Sequence, residues 1–129
     1  MEYLTFDDLI LIHADMIRCY GGSPTLRDEA IARRVIDSAR ATFDQRPLNP
    51  DPISLAAAYL LGIVAGHPFV DGNKRTGAAA AIIALRLNGL RLTATEDQLA
   101  DFVLDVAQGR ADKASVIAFL THHTRAEGP

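Results

Sequence analysis

Tryptophan is absent, cysteine occurs once, and neither sign of charge dominates. The single Cys19 excludes an internal disulfide framework. It suits a reducing compartment and is expected as a packed, structural thiol. With a net charge of −3 and arginines interleaved among acids, the chain lacks the basic field a nucleic-acid binder needs. The opening Met1-Glu2-Tyr3-Leu4-Thr5-Phe6-Asp7-Asp8 is acidic where a signal peptide is basic. The two most apolar runs are each about a dozen residues, short of the ~20 of a membrane span, and are expected as core helices. Neither nucleic acid nor membrane is therefore an expected partner, and the cytoplasm is the expected location.

What is present is Ala, Leu and Ile in a chain of 129 residues that is 49% hydrophobic. That length and composition predict one mostly helical domain over residues 1–129. Thr5-Phe6-Asp7-Asp8 has the form of a capping box, followed by Leu9, Ile10, Ile12, Met16 and Ile17 at helical spacing. Gly21-Gly22-Ser23-Pro24 ends that helix. Thr25-Leu26-Arg27-Asp28 predicts a second box, before a stripe of Ile31, Val35, Ile36 and Ala39. Three prolines between Asp44 and Pro52 forbid a regular helix and predict an extended, exposed segment, either a linker or a flap against a partner. Ser54–Ala65 is apolar nearly all round and predicts a central helix, stopping near Gly66-His67 because Pro68 disfavours helical geometry at His67. The next helix should run from about Asn73 to Asn88-Gly89, with tight packing at Ala78–Ala81. Two weaker ones should follow over Glu96–Gln108 and Lys113–His123.

Between the two apolar helices lies His67-Pro68-Phe69-Val70-Asp71-Gly72-Asn73-Lys74-Arg75-Thr76. Burying such polar groups without partners is costly, so the run predicts a site. Helix N-termini favour acids and disfavour cations. Asp71, near the expected cap position, obeys that rule, whereas Lys74 and Arg75 in the first turn break it. Two cations at the positive end of a buried helix make sense if an anion sits there. Phosphate fits: N–H groups and the dipole face it, Lys supplies a point charge and Arg a bidentate fork. Gly72 lets the backbone approach, and Asn73 either orients the loop or contacts phosphate. Asp71 with substrate phosphates could hold Mg²⁺. His67 is the natural general base for a hydroxyl nucleophile. Phe69 should point into the core. Singly, His67 is a loop histidine, Asp71 a cap and Gly72-Asn73 a turn pair; jointly they predict a phosphate site.

Other chemistries fail. Gly72 and Gly77 have P-loop spacing, but Ala78-Ala79 stand where Lys and a hydroxyl are needed. No dinucleotide glycine pattern, zinc spacing or serine nucleophile elbow occurs. His13 is expected to be structural, and His122-His123 solvated.

The run His67 to Arg75 resembles the central motif of Fic-domain proteins, and more closely that of the Doc toxin branch, in which Lys replaces a glycine. Leu11-Ile12-His13, Tyr20-Gly21-Gly22, Arg27-Asp28 and Arg86-Leu87-Asn88-Gly89 are also similar to that branch, so nearly the whole chain is covered. The resemblance implies an all-α bundle of about six helices with a short extended flap over Asp44–Pro52. It implies the toxin of a toxin–antitoxin pair, neutralised by a Phd-like antitoxin. Its activity would be transfer of the terminal phosphate of ATP to a threonine of elongation factor Tu, stopping translation. By matching position, His67 would be the base and Asp71 would hold Mg²⁺. Gly72 would admit the phosphates, and Asn73, Lys74 and Arg75 would hold them.

The departures are informative. AMP-transferring Fic proteins have Gly at the Lys74 position and a second Arg three residues after Arg75, where this chain has Ala78. Losing that guanidinium and filling the glycine's space favours phosphoryl over nucleotidyl transfer. The self-inhibiting Ser/Thr-x-x-x-Glu-Gly/Asn motif is approached only by His123 to Gly128, with His in place of the hydroxyl, so inhibition is expected from a separate chain. AMP transfer and a catalytically inactive binding module are the competing expectations.

Overall fold

The computed structural model describes residues 1–128; Pro129 lies outside the described residues. Six helices carry the architecture: α1 Phe6–Tyr20, α2 Glu29–Ala39, α3 Pro52–Gly66, α4 Asn73–Leu87, α5 Glu96–Ala107 and α6 Lys113–His122. Two short antiparallel strand pairs accompany them: a hairpin of β1 Thr42–Phe43 with β2 Arg46–Pro47, and a two-stranded sheet of β3 Leu90–Leu92 with β4 Thr124–Ala126, which lie on either side of α5 and α6 in the chain.

The central helix is α3. Asp51 and Ser54 form its capping box and Pro52 opens its first turn, where a missing N–H costs nothing. Leu55, Ala56, Ala57, Tyr59, Leu60 and Ile63 are fully buried, and the helix packs against α2, α4, α5 and α6. Small residues set the α3–α4 approach. A Cβ at Gly77 would lie 2.6 Å from Val64 Cγ2 and 3.3 Å from the Leu60 carbonyl oxygen. Ala80, Ala81 and Ala84 continue that buried face, whereas Ala78 and Ala79 are half-buried. Tyr59 reaches across the core, its hydroxyl accepting the Leu4 N–H at 2.9 Å. Burial raises the pKa of that phenol above its ordinary value.

The expected capping box at Thr5 is present, with Asp8 N–H to Thr5 Oγ1 at 3.0 Å and Thr5 N–H to Asp8 Oδ2 at 2.8 Å. The box expected at Thr25–Asp28 does not form. Asp28 itself caps α2 through Ile31 N–H at 3.1 Å, because Thr25–Asp28 is drawn into extended pairing with the motif loop. The proline-bearing segment is exposed over residues 44–51 apart from Asn49, as expected, and its first part, residues 44–47, belongs to a hairpin with Thr42–Phe43, while Pro52 opens α3. Asp44 and Gln45 both have positive φ, 52° and 63°, the geometry of a two-residue hairpin turn. Behind it, Asn49 is buried, donating to the Ala39 carbonyl at 2.9 Å and accepting from Lys113 Nζ. Cys19, expected as a packed thiol, is exposed. His123 is half-buried against Phe119 rather than solvated, while His122 is exposed. No helix among the described residues is long and apolar enough to cross a membrane.

Candidate active site

The motif loop joins the C-terminus of α3 to the N-terminus of α4. His67 ends α3 in a left-handed conformation, φ 57° and ψ 52°, with its N–H bonded to the Ile63 carbonyl at 3.0 Å. A non-glycine residue there costs on the order of 1 kcal/mol or more, and such strain persists only where surroundings enforce it. Pro68 removes the helical alternative. Arg27 supplies the enforcement: its Nε donates to the His67 carbonyl at 2.7 Å and its Nη2 to the Gly66 carbonyl at 3.3 Å. A guanidinium at the negative end of α3 is also well placed against the helix dipole. The His67 side chain remains exposed.

From there the chain is pinned on both sides. The Pro68 carbonyl accepts the Arg27 and Asp28 N–H groups at 2.8 and 3.0 Å, and the Val70 N–H donates to the Thr25 carbonyl at 3.0 Å. Phe69 points into the core, 1% exposed, as its position in the motif predicts. Its ring stacks on His13, with centroids 3.7 Å apart and planes 3° from parallel. The His13 Nε2–H donates to the Asp71 carbonyl at 2.8 Å, which fixes the tautomer. His13 is structural, as expected, but the structure it serves is this loop. Sequence reading did not place it here, because the contact spans 58 positions.

Asn73 resolves its two readings toward the loop. Its Oδ1 accepts the Phe69 N–H at 3.0 Å and its Nδ2 donates to the Phe69 carbonyl at 2.8 Å. The side chain is 4% exposed and engaged at both ends, so Asn73 offers a phosphate only its backbone N–H. Asp71 does not cap α4. Its Oδ2 accepts the Ser23 N–H at 2.7 Å, drawing the α1–α2 connection onto the loop. Gly22 permits that approach, since a Cβ there would lie 3.0 Å from Asp71 Cβ.

The N-cap of α4 is Gly72, at φ 83°, with no side-chain cap hydrogen bond. Each of the other five helices has one, from Thr5, Asp28, Asp51, Thr95 and Asp112. The first N–H groups of α4 are thus left for another acceptor. Lys74 and Arg75 stand in that first turn, both exposed. The ion pairs among the described residues are Arg18–Asp15, Arg33–Glu29 and Arg110–Asp105, none of which involves them. The Arg75 Cζ instead lies 4.1 Å from the centroid of the Tyr20 ring. Asp71, Gly72, Lys74 and Arg75 therefore stand at one open helix end, with exposed His67 at the opposite end of the same loop, so that the helix end is suited to binding an oxyanion.

Known proteins are similar to this chain over most of its length. Residues 3–85 match the model of the Fic/DOC family. Over 116 residues the chain is 32% identical to the protein kinase Doc of Escherichia phage P1, covering 90% of each chain. Over 121 residues it is 34% identical to the toxin Doc of Mycolicibacterium smegmatis, covering 92% of this chain and 91% of that one. With a family match over most of its length and two Doc relatives aligned nearly end to end, the chain belongs to the Fic/Doc family, in its Doc branch.

Proposed function

We propose that this protein is the toxin of a toxin–antitoxin pair, a single Fic/Doc domain that acts in the cytoplasm by transferring the γ-phosphate of ATP to a protein hydroxyl. The observation that carries the reading is the uncapped N-terminus of α4, with Lys74 and Arg75 in its first turn and exposed His67 at the other end of the loop. The phage P1 relative named a protein kinase and the mycobacterial one named a toxin support it. Lys74 and Ala78 favour phosphoryl transfer over AMP transfer, since the AMP-transferring pattern has a glycine and an arginine there. Family resemblance extends the proposal to a threonine of elongation factor Tu as acceptor, hence to arrest of translation, and to a Phd-like antitoxin as inhibitor.

In this mechanism the γ-phosphate lies against the α4 N-terminus, between the Lys74 ammonium and the Arg75 guanidinium. His67 takes the proton of the incoming hydroxyl as its oxygen bonds to the γ-phosphorus. The bond from that phosphorus to the β–γ bridging oxygen breaks, and ADP leaves with the electron pair. Lys74, Arg75 and the helix dipole stabilise charge on the transferring group, which is the main work of such sites. The Asp71 carboxylate suits Mg²⁺. It is exposed, has no cationic partner among the ion pairs of the described residues, and has its orientation fixed by the Ser23 N–H. Groups of three or more candidate metal ligands are absent among the described residues, so phosphate oxygens would complete the coordination. Bound Mg²⁺ would neutralise phosphate charge.

Incubation with elongation factor Tu and ATP labelled separately at the α- and γ-phosphates tests the reaction. The expected result is label from the γ position alone, lost in His67→Ala and Asp71→Ala together with growth arrest. Transfer from the α position would establish AMP transfer instead. Transfer from neither position would favour an inactive binding module, and growth arrest retained in both variants would refute the assignment of these residues.

A further inference from the structure

We infer that Tyr20 is a positioning residue for the phosphate site, holding the Arg75 guanidinium by its ring face. The inference rests on the phosphate reading of that site. Tyr20 is the last residue of α1 and is 60% exposed, outside the hydrophobic core, so burial gives no reason for its place. The Arg75 Cζ lies over its ring at 4.1 Å, well within cation–π range.

Two other such pairs occur, Arg33 over Phe6 and Arg40 over Tyr3, and they show what is different here. Phe6 and Tyr3 are half-buried and pack against the core, so their rings have work without the arginine. Arg33 is also ion-paired to Glu29. Tyr20 packs against no core, and Arg75 belongs to none of the ion pairs among the described residues.

That difference has a chemical consequence. A carboxylate partner would fix Arg75 but neutralise it and occupy its N–H fork. An aromatic face restrains the planar group while leaving its charge and its donor edges to an anion. The restraint removes in advance part of the rotamer entropy that a free arginine loses on binding phosphate. The same end of α1 leads through Gly21 and Gly22 to Ser23, whose N–H holds Asp71 at 2.7 Å. One helix terminus thereby sets both the cation and the carboxylate on either side of Gly72.

The test is equilibrium binding of ATP with Mg²⁺ by titration calorimetry on the full chain, with melting temperatures measured alongside. Tyr20→Phe should bind within about twofold of the parent. Tyr20→Leu, which keeps apolar bulk without the ring, should bind about 2- to 30-fold more weakly, the range that a cation–π contact provides. In an Arg75→Ala background, Tyr20→Leu should cause no further loss, a result that general destabilisation would not give. Unchanged binding by Tyr20→Leu, equal loss in Tyr20→Phe, or additive loss in the double variant would each overturn the inference. Parent-like binding by Arg75→Ala, or no binding by the parent, would instead overturn the phosphate reading and the inference with it.

Discussion

Replacing Asn73 by Ala removes two buried hydrogen bonds at once. The Phe69 N–H loses its acceptor at 3.0 Å and the Phe69 carbonyl loses its donor at 2.8 Å, both where water does not reach. A buried backbone group left unpaired costs about 1–3 kcal/mol, so two cost about 2–6. Partial relaxation of the loop into solvent puts the expected loss near 3–4 kcal/mol, against a total stability of roughly 6–19 for a chain of this length. With an unfolding entropy of about 2 cal/mol/K per residue, that loss lowers the melting temperature by roughly 10–15 °C. Urea unfolding should show a lower midpoint at unchanged slope. Asn73→Asp keeps the acceptor for the Phe69 N–H but turns a second oxygen toward the Phe69 carbonyl, and should fall at least as far at neutral pH. Both variants should lose the proposed phosphoryl transfer out of proportion to the fraction unfolded, because His67 and Asp71 ride on the segment that Asn73 holds. A stability for Asn73→Ala within about 0.5 kcal/mol of the parent would mean that Phe69 is satisfied otherwise, and the reasoning would fail.

Gly77→Ala gains about 1 kcal/mol of helix propensity but sets a methyl against Val64 and the Leu60 carbonyl, so a net loss of about 1–2 kcal/mol is expected by urea unfolding. In a Val64→Ala background the same change should be neutral or stabilising; equal losses in both backgrounds would show that Val64 is not the obstacle. Burial raises the Tyr59 pKa, so the folded state favours the neutral phenol. Its contribution is present in full below about pH 10, the ordinary phenol value, and declines as pH rises from there through the raised folded value. Tyr59→Phe should flatten that alkaline decline while costing about 1 kcal/mol at neutral pH for the unpaired Leu4 N–H; an unaltered alkaline profile would contradict the assignment.

The parts of the fold legible in the sequence are those fixed by neighbours in the chain. Thr5-Phe6-Asp7-Asp8 makes its box from residues three apart, Pro68 stops α3, and Asn88-Gly89 lets α4 end at Leu87. Two of the failures share one physical cause, competition from distant partners. Thr25–Asp28 has the residues of a capping box, but the loop from Pro68 to Val70 offers the same segment backbone pairing, and only the Asp28 cap survives. The β3–β4 pair joins residues more than thirty positions apart, with Arg91 opposite Arg125, a like-charge pairing that no local rule favours. Cys19 looks packable by type, but its position on α1 faces solvent.

The candidate site shows the same division more sharply. Its candidate residues stand out in the sequence because Lys74 and Arg75 contradict the electrostatics of a helix start, and a contradiction is visible in sequence alone. Its geometry does not, because the residues that enforce it are neutral to such a test. His13 lies on the buried face of α1 and would pass as core; Arg27 would pass as a solvated charge; Tyr20 would pass as a helix end. Together they fix what the motif cannot fix for itself. Pro68 forbids His67 a helical backbone but leaves extended conformations open, and Arg27, 40 positions away, selects the left-handed one by binding the His67 carbonyl. A variant that keeps every motif residue and loses Arg27 would therefore retain His67, Asp71, Lys74 and Arg75 while releasing the turn that carries them. The site is specified at two levels, reactive groups by the motif and their placement by α1 and the segment before α2.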